Sequence, residues 1–369
     1  MARRYLLDRT YLDPLAEGKN VLAGRHAYSH VNALASAMKA WQVDGDAKYL
    51  AAARNGMGFV LAQSYATGGW GPDEAFVEPG SAKLGESLGT THRSFEAPCG
   101  TFGHFKVARY LMCATGDSRW GDGMERLFYN AALGVLPLQP NGAGFYYADY
   151  NEVGTKGYYE YACPCCAGSI GQLTADYGIS AYLQDERGLL VNLYTPSSAV
   201  WRRRGEPVLT LTQGGNYPLG DSVVCTVAAP RPVTMALRLR IPAWAGQGTI
   251  ISVNGRAVGS PAPGRFASIE RQWRAGDRVE LTLPRPLRTE SVDGHFTDRV
   301  AMMQGPLALF ATGDRFTPLT RNQLASLRQR AAGAAEWTLE GGTGSQTFRP
   351  WFSIGGEATR LYQRVIGGG

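Results

Sequence analysis

Apolar residues in the first half of the chain recur at helical spacing, and this pattern predicts paired helices. The stretch "HVNALASAMKAWQ" repeats apolar side chains every three or four residues and leads through Gly45–Asp46 into a second helical stretch, "YLAAARNGMGFVLAQ". The same order recurs around Gly116–Asp117, where "FKVARYLMCA" is followed by "GMERLFYNAALGV". Repeated helical hairpins are typical of a toroid or solenoid of paired helices. We therefore predict a helical region over residues 1–185.

From about residue 186 the apolar positions alternate with polar ones at period two, which predicts strands. Segments such as "PVLTLTQGG", "SVVCTVAA" and "RVELTLPRPL" are separated by Gly, Pro, Asn and Asp. They predict an antiparallel β-sandwich of Greek-key type over residues 186–312, with an Asn-Gly hairpin in "SVNGRAV". Residues 313–369 are predicted to form a mixed C-terminal segment that packs on the sandwich. No low-complexity linker separates the halves, so we expect them to pack closely.

The composition of the chain indicates which kinds of partner the protein can bind. The chain has 369 residues, of which 44% are hydrophobic, and no run approaches the roughly 20 apolar residues that span a bilayer. Asp8 and Asp13 interrupt the N-terminal segment, so we predict no signal peptide and a cytoplasmic location. The net charge of +6 is spread along the chain, with one dense run at Arg202–Arg204. We expect no nucleic-acid partner and no membrane partner.

Three of the six cysteines are clustered. The stretch "YACPCCAGS" contains Cys163, Cys165 and Cys166, and such a cluster indicates a metal site or a reactive thiol rather than a disulfide scaffold. The adjacent pair can chelate a soft metal if other ligands approach from elsewhere in the fold. Cys163 is expected to be a bystander, while Cys113 and Cys225 have the surroundings of ordinary buried thiols.

A second segment offers further metal ligands. In "SFEAPCGTFGHF", Glu96 and Cys99 are three residues apart, so both side chains can turn to one side of a helix start. Together with the cysteine pair they offer three thiolates and one carboxylate, which suits a tetrahedral site. The alternative for Glu96 is a charge that the helix dipole stabilises at a helix N-terminus.

Two further stretches of the helical half carry candidate polar groups. Glu74 lies in the glycine-rich loop "TGGWGPDEAF", and loops of this kind are where rigid scaffolds usually display catalytic groups. A solvated loop carboxylate is the plain alternative. His26 and His30 in "GRHAYSHVN" lie four residues apart on one helical face, which is compatible with a metal pair or with structural histidines.

The ordered set of motifs resembles glycoside hydrolase family 127, the β-L-arabinofuranosidase family. The resemblance is carried by "DPLAEGKNVLAGRHAYSH", "ATGGWGPDEAF", "FEAPC", "GFYYADY", "PCC" and "LRLRIPAWA", and it runs from about residue 12 to residue 310. It implies an (α/α)6 barrel, present here in part, followed by β-sandwich domains. It also implies hydrolysis of β-L-arabinofuranosides with retention of configuration, through a zinc-bound cysteine nucleophile.

Carried over position by position, the resemblance implies a role for each motif. Cys165, the first cysteine of the pair, would be the nucleophile, and Glu74 in "DEAF" would be the general acid/base. As a general acid Glu74 would need a raised pKa, which enclosure beside Trp70 and Phe76 would supply. His26 in "HAY" and Tyr147 in "GFYY" would bind the substrate, with Tyr147 near the nucleophile. The implied zinc ligands are Glu96, Cys99, Cys165 and Cys166.

The chain departs from the family pattern at three points. The family has Glu-x-Cys where this chain has Glu96-Ala-Pro-Cys99, which makes Cys99 the firmer ligand of the two. Ala167-Gly168-Ser169 follows the cysteine pair where the family has Pro-Pro-Asn, so the sugar need not be arabinofuranose. Only about 25 residues precede His26. We therefore expect a barrel that is shortened at its N-terminal side or completed by a partner.

Two other function classes are left open by the sequence. A carbohydrate epimerase or lyase on the same toroid would use a tyrosine or histidine to abstract a proton. Its activity would survive Cys165→Ser but not His26→Ala. A non-catalytic sugar-binding protein would use zinc only to staple the cysteine loop. For the favoured hydrolase the expected partner is a small-molecule glycoside or oligosaccharide, and a homo-oligomer is compatible with the chain.

Overall fold

A computed structural model confirms the order predicted from the sequence, with a helical first half followed by a sheet-rich second half. The structure describes residues 6–162, 164–205, 207–339 and 346–367. Cys163 lies outside the described residues, so its role as a bystander stays a prediction.

The helical half consists of helices, the loops that join them and two small sheets. A π-helical turn over Asp8–Leu12 precedes the first helix. The helices are α1 (Asp13–Ala16), α2 (Ala27–Asp44), α3 (Ala47–Leu61), α4 (Lys83–Thr90), α5 (Ala97–Thr115), α6 (Arg119–Asn130) and α7 (Pro164–Ala181), with α8 (Arg321–Ala325) far along the chain. Helix α5 packs against α2, α6 and α7 and therefore lies at the centre of the helical half. Among the described helices, none has the length and apolar character needed to cross a membrane.

The repeated Gly-Asp turns explain why the helices come in pairs. Gly45 and Gly116 end α2 and α5 with φ of 73° and 67°, a left-handed conformation that glycine adopts without a Cβ clash. The carboxylates of Asp46 and Asp117 then each accept a hydrogen bond of 3.0 Å from the backbone N–H two residues further on. Such bonds satisfy donors at the start of the next helix. Each turn thus ends one helix and begins another.

Four short strands lie between these helices and position residues of the candidate site. They are β1 (Phe95–Glu96), β2 (Ala143–Phe145), β3 (Tyr147–Ala148) and β4 (Tyr158–Ala162). Strand β1 pairs with β3, and β2 pairs with β4. The pairing of Glu96 with Tyr147 brings the segment before α5 beside the "GFYY" segment.

Two larger sheets form the region after α7. Their strands are β5 (Tyr182–Asp185), β6 (Gly188–Val191), β7 (Ser197–Trp201), β8 (Leu209–Gly215), β9 (Ser222–Ala228), β10 (Val233–Ile241), β11 (Ile250–Val253), β12 (Arg256–Gly259), β13 (Arg265–Trp273) and β14 (Arg278–Thr282). The strand orders are β13-β10-β6-β5 and β12-β11-β14-β9-β8-β7. Every pairing described in them is antiparallel except β6 with β10. Asn254 and Gly255, with φ of 52° and 77°, form the predicted hairpin turn between β11 and β12.

A third sheet is formed by the remaining strands. These are β15 (Leu287–Ser291), β16 (Arg299–Gln304), β17 (Leu307–Thr312), β18 (Leu327–Gln329), β19 (Trp337–Leu339), β20 (Thr347–Pro350), β21 (Thr359–Arg360) and β22 (Tyr362–Arg364). The order is β15-β16-β17-β20-β19-β18, with β21 on β17 and β22 on β16. Strands from both sides of residue 312 therefore share one sheet. The domain limits at residues 185 and 312 stay predictions.

A buried ion-pair network joins the sheet region to the helical half. Arg240 of β10 is fully buried and forms ion pairs with Asp122 and with Glu125 of α6, the latter over 2.7 Å. Glu125 also accepts hydrogen bonds from the hydroxyl of Tyr217 (2.5 Å) and the indole of Trp244 (3.0 Å). A buried charge needs such partners, because the cost of removing it from water is otherwise several kcal/mol. The "LRLRIPAWA" segment therefore anchors the sheets to α6.

Candidate active site and metal centre

A cluster of one carboxylate and three sulfurs forms where α5 and α7 begin. Glu96 is the last residue of β1, Cys99 lies in the first turn of α5, and Cys165 and Cys166 lie in the first turn of α7. One donor atom from each of the four residues lies within 4.8 Å of the others. The extra residue in Glu96-Ala-Pro-Cys99 does not separate the two groups, because the strand end and the helix start face the same point. This cluster could hold a metal ion.

The distances within the cluster are those of donors gathered around a common centre. Sγ of Cys166 lies 3.3 Å from Sγ of Cys99 and 3.6 Å from Oε1 of Glu96, while Sγ of Cys165 lies 3.9 Å from the same oxygen. Oε2 of Glu96 is buried and has no hydrogen-bond partner within the described residues. A buried carboxylate oxygen in this state costs free energy unless a cation or donor satisfies it. The residues present therefore fit a metal ion.

The pKa values of two side chains in the cluster bear on how a metal ion would bind. Burial raises the pKa of the Glu96 carboxyl. The hydrogen bond to Cys99, together with burial, raises the pKa of the Cys166 thiol. Both groups therefore hold their protons more tightly than usual before a cation is bound. Because metal ligands must be deprotonated, loading of this centre would release protons and would depend on pH.

The two adjacent cysteines differ in their access to solvent. Cys166 is fully buried against Cys99 and the ring of Tyr146, whereas Cys165 is exposed. Both lie in the first turn of α7. Cys165 is therefore the sulfur of the pair that an incoming molecule can reach.

Glu74 lies near this cluster, on a loop with a strained backbone. Asp73 and Glu74 have positive φ values of 49° and 62°, which non-glycine residues adopt at a cost of about 1–3 kcal/mol. The loop is fixed by hydrogen bonds from N of Asp73 to O of Arg93 (2.9 Å) and from the hydroxyl of Thr91 to the Asp73 carboxylate (2.6 Å). The strained backbone therefore holds the Glu74 side chain in one direction.

The carboxylate of Glu74 is the centre of a hydrogen-bond cluster. Its Oε1 accepts from the hydroxyls of Tyr146 (2.9 Å) and Tyr147 (2.5 Å), and its Oε2 lies 3.2 Å from Nε2 of His26. His26 caps α2, since its Nδ1 accepts from the backbone N–H of Ser29, and this leaves Nε2 to donate to Glu74. The structure thus brings together Glu74, the predicted general acid/base, and His26 and Tyr147, the predicted substrate-binding residues.

The expectation of a raised pKa for Glu74 is wrong. Burial raises the pKa of the carboxyl, but the hydrogen bonds from Tyr147 and Tyr146 and the charges of His26 and Arg93 lower it by more. The rings of Trp70 and Phe76 stack on each other, with their centroids 5.6 Å apart. Glu74 is therefore an ionised carboxylate near neutral pH in this state.

Tyr146 lies between Glu74 and the sulfur of Cys165. Its hydroxyl is 2.9 Å from Glu74 Oε1 and 3.8 Å from Sγ of Cys165. The family resemblance predicts Tyr147 near the nucleophile, whereas in the structure the sulfur of Cys165 contacts Tyr146 and the hydroxyl of Tyr147 bonds to Glu74. Tyr146 falls between β2 and β3, so it escapes strict alternation and its ring lies on the same side as that of Tyr147. The adjacent tyrosines in "GFYY" were the available signal for this arrangement.

His26 and His30 do not form a metal pair. Nδ1 of His30 is 2.8 Å from the backbone oxygen of His26, and its ring packs edge-on against Tyr11. Within the described residues, the cluster of Glu96 and the three cysteines is the only group of this kind. His30 is a structural histidine.

The chain matches models of two domains of one enzyme family. The model of the GH127 β-L-arabinofuranosidase catalytic domain matches residues 1–179, and the model of the GH127 middle domain matches residues 188–285. No curated protein matches the chain. The first match covers the residues of the candidate site, and the second covers strands of the sheets that follow it.

Solved structures with the same fold support this match. A GH127 β-L-arabinofuranosidase from Geobacillus stearothermophilus T6 superposes with a TM-score of 0.76 at 20% identity, covering 96% of this chain and 62% of that one. Another GH127 β-arabinofuranosidase gives 0.76 at 20% identity, with 97% and 63% covered. A protein described as a glycoside hydrolase gives 0.75 at 17%, with 94% and 67% covered. The chain thus spans less than two thirds of the length of the two arabinofuranosidases.

Proposed function

Because the chain belongs to the GH127 β-L-arabinofuranosidase family, we propose that it is a retaining glycoside hydrolase that releases L-arabinofuranose, or a related sugar, from β-L-arabinofuranosides. In this proposal Cys165 is the nucleophile and Glu74 is the general acid/base. His26 and Tyr147 bind the sugar and orient Glu74.

One observation carries the proposal. The hydroxyl of Tyr146 is within reach of both Glu74 Oε1, at 2.9 Å, and Sγ of Cys165, at 3.8 Å. A carboxylate and an accessible sulfur therefore face one small space, as a two-step displacement at a sugar carbon requires. The exposure of Cys165 beside the buried Cys166 further supports its choice as the attacking sulfur.

In the first step the sulfur of Cys165 attacks the anomeric carbon and the bond from that carbon to the leaving oxygen breaks. Glu74 gives its proton to the leaving oxygen, so the alcohol departs neutral. In the second step Glu74 takes a proton from a water molecule whose oxygen attacks the same carbon. The carbon–sulfur bond breaks, the thiolate is regenerated, and two inversions give net retention.

The state of Glu74 sets the pH at which the first step is fastest. Since its pKa is lowered, the ionised form dominates near neutral pH and suits the second step. The first step needs the protonated form and therefore gains as the pH falls. The hydrogen bonds from the two tyrosines keep the carboxylate oriented in both forms.

The proposed cofactor is Zn²⁺, with Glu96, Cys99, Cys165 and Cys166 as its ligands. Three sulfurs and one carboxylate suit tetrahedral zinc. When bound, zinc supplies the positive charge that keeps these sulfurs deprotonated near neutral pH.

The test is hydrolysis of p-nitrophenyl β-L-arabinofuranoside by the wild type and by Cys165→Ser, together with zinc analysis of both proteins. We expect wild-type turnover with the β-anomer released first, one zinc per chain, and a loss of at least about a thousandfold in Cys165→Ser. The sequence predicts a buried thiol at Cys113, but the structure places this residue in an exposed position near the C-terminal end of α5. Cys113→Ser is the matched control and should retain activity. Undiminished turnover in Cys165→Ser would contradict the cysteine mechanism.

A further inference from the structure

Ser169 contacts the candidate metal site through Cys99. It belongs to α7, one turn after the cysteine pair, and its Oγ is 3.1 Å from Sγ of Cys99 on α5. The side chain is 5% exposed, so water does not compete for this contact. Ser169 is also the last residue of the Ala167-Gly168-Ser169 segment, in which the chain departs from the family pattern.

Polar side chains of α2 lie beside the hydroxyl of Ser169. Burial raises the pKa of the Tyr28 hydroxyl, and hydrogen bonds with Asn32 and Ser169 oppose this effect only in part. Tyr28 and Asn32 stand one turn apart on α2. The Tyr28 ring lies against α5 at Gly103, where a Cβ would come within 3.3 Å of the ring. Asn32 and Tyr28 of α2 therefore lie beside Ser169 of α7, whose hydroxyl contacts Cys99 of α5.

The direction of these hydrogen bonds follows from chemistry. A metal-bound cysteine is a thiolate and has no proton to give, so Ser169 must donate to Cys99. The serine oxygen can then accept from Tyr28, and the tyrosine oxygen can accept from the Asn32 amide. Oδ1 of Asn32 has no partner within the described residues, which leaves the amide nitrogen as its bonding group here.

We propose that Ser169 is a positioning residue of the metal centre, whose hydroxyl donates a hydrogen bond to the thiolate of Cys99. Three thiolates and a carboxylate around a divalent cation leave an excess of negative charge in a buried place. Hydrogen bonds from outer groups spread that charge and fix the ligand direction, and their loss typically lowers metal affinity about 10- to 100-fold. This inference rests on the metal centre of the proposed function.

The contact also orders the two helix starts. Cys99 and Cys166 come from different helices, and their sulfurs are 3.3 Å apart. Ser169 is on the helix of Cys166 and bonds to the sulfur of the other helix, so it fixes how α5 and α7 are placed. In this proposal Ser169 keeps the Cys99 sulfur directed at the other three ligands and away from the interface between α5 and α7.

The test measures metal binding rather than turnover. Zn²⁺ affinity is obtained by competition with a chromophoric chelator, and the sulfur-to-metal charge-transfer bands are recorded after loading with Co²⁺. The variants are Ser169→Ala and the control Thr174→Ala. Thr174 lies on the same helix, is exposed, and bonds only to the backbone oxygen of Ile170 among the described contacts. Circular dichroism checks that each variant is folded.

We expect Ser169→Ala to bind Zn²⁺ about 10- to 100-fold more weakly and to shift the charge-transfer bands to lower energy, since an unbonded thiolate gives up its electrons more easily. Thr174→Ala should match the wild type in both measurements. If Ser169→Ala matches the wild type as well, the inference is overturned. If Ser169→Ala does not fold, Tyr28→Phe is measured in its place. A loss of Zn²⁺ affinity in Tyr28→Phe, smaller than that expected for Ser169→Ala, supports the inference, and wild-type affinity in Tyr28→Phe overturns it.

The same experiment separates this inference from the proposed function. A wild-type protein that binds neither Zn²⁺ nor Co²⁺ overturns the proposed cofactor and this inference together. A wild type that binds Zn²⁺ while Ser169→Ala is unaffected overturns only the role of Ser169.

Discussion

The hydroxyl of Tyr147 donates a hydrogen bond of 2.5 Å to Oε1 of Glu74. The guanidinium of Arg93 lies 5.6 Å from the centre of the same tyrosine ring, so a positive charge also stands near the carboxylate. Burial would raise the pKa of Glu74, yet these contacts and those of Tyr146 and His26 lower it. The protonation of the Glu74 carboxyl is therefore controlled by residues distant from Glu74 in the sequence.

Replacing Tyr147 with phenylalanine should shift the alkaline limb of the pH profile. Loss of the hydroxyl removes a donor to the ionised form of Glu74, so the pKa of Glu74 rises. Because the first step needs the protonated form, kcat/KM of Tyr147→Phe should persist to higher pH than that of the wild type. The measurement is kcat/KM against pH for an aryl glycoside. Tyr110→Phe, on α5 and away from the site, is the control, and an unshifted limb in Tyr147→Phe would contradict the acid role of Glu74.

Replacing Glu74 with glutamine should cost more for poor leaving groups than for good ones. Glutamine cannot protonate the leaving oxygen, so alkyl glycosides should lose about 10²- to 10⁴-fold in kcat/KM. A p-nitrophenyl leaving group needs little protonation, and its first step should suffer less. Azide should restore turnover by replacing the activated water. Glu78→Gln changes an exposed carboxylate in the same loop and should behave as the wild type. An equal loss for all leaving groups would argue against Glu74 as the acid.

His104 should make the fold sensitive to acid. It is 1% exposed, and burial lowers its pKa from 6.5 to about 4. Between these values the unfolded chain binds a proton that the folded protein does not bind, so the free energy of unfolding falls as the pH falls. From pH 7 to pH 5 this group should remove about 2 kcal/mol.

Urea unfolding at pH 7 and pH 5 checks this expectation. The wild type should lose more stability over that interval than His104→Gln does. His295→Gln, at an exposed position, should lose as much as the wild type. Equal losses in the wild type and in His104→Gln would show that His104 does not bind the proton in question.

Replacing Arg240 should weaken the contact between the sheets and α6. Arg240→Met leaves the carboxylates of Asp122 and Glu125 buried without their cation, and such a loss costs about 3–5 kcal/mol. The neighbouring Arg238, on the same strand, pairs with the half-exposed Asp185, and its replacement should cost less than about 1 kcal/mol. Denaturant unfolding of Arg240→Met and Arg238→Met compares the two. A similar cost for both variants would mean that the buried network adds no stability.

Local features of the fold could be predicted from the sequence because they depend on near neighbours. The Gly-Asp turns at Gly45 and Gly116 and the Asn254–Gly255 hairpin are set by backbone conformations that few residues adopt. The pairing of β6 with β10 in parallel could not be read this way, because it joins strands separated by several others. The ion pairs of Arg240 with α6 could not be predicted either, because the sequence of a strand does not show which acidic residue its arginine contacts.

The candidate site was predictable as a set of residues but not as an arrangement. Glu96, Cys99 and the cysteine pair converge because α5 packs against α7, and no spacing along the chain encodes that packing. The pKa of Glu74 was predicted in the wrong direction, because the two hydroxyls that decide it come from the "GFYY" segment. Ser169 gave no signal beyond its place in a segment that departs from the family pattern.

The position of the cysteine pair in the first turn of α7 decides how the two sulfurs can differ. Successive side chains on a helix point about 100° apart, so one backbone turn can direct Cys166 inward and Cys165 outward. Two adjacent cysteines in a strand would lie on opposite faces of a sheet and could not share one ion. The helical step is large enough to expose one sulfur and small enough to leave both within range of a single cation. One turn of helix thereby gives two chemically identical side chains different access to solvent.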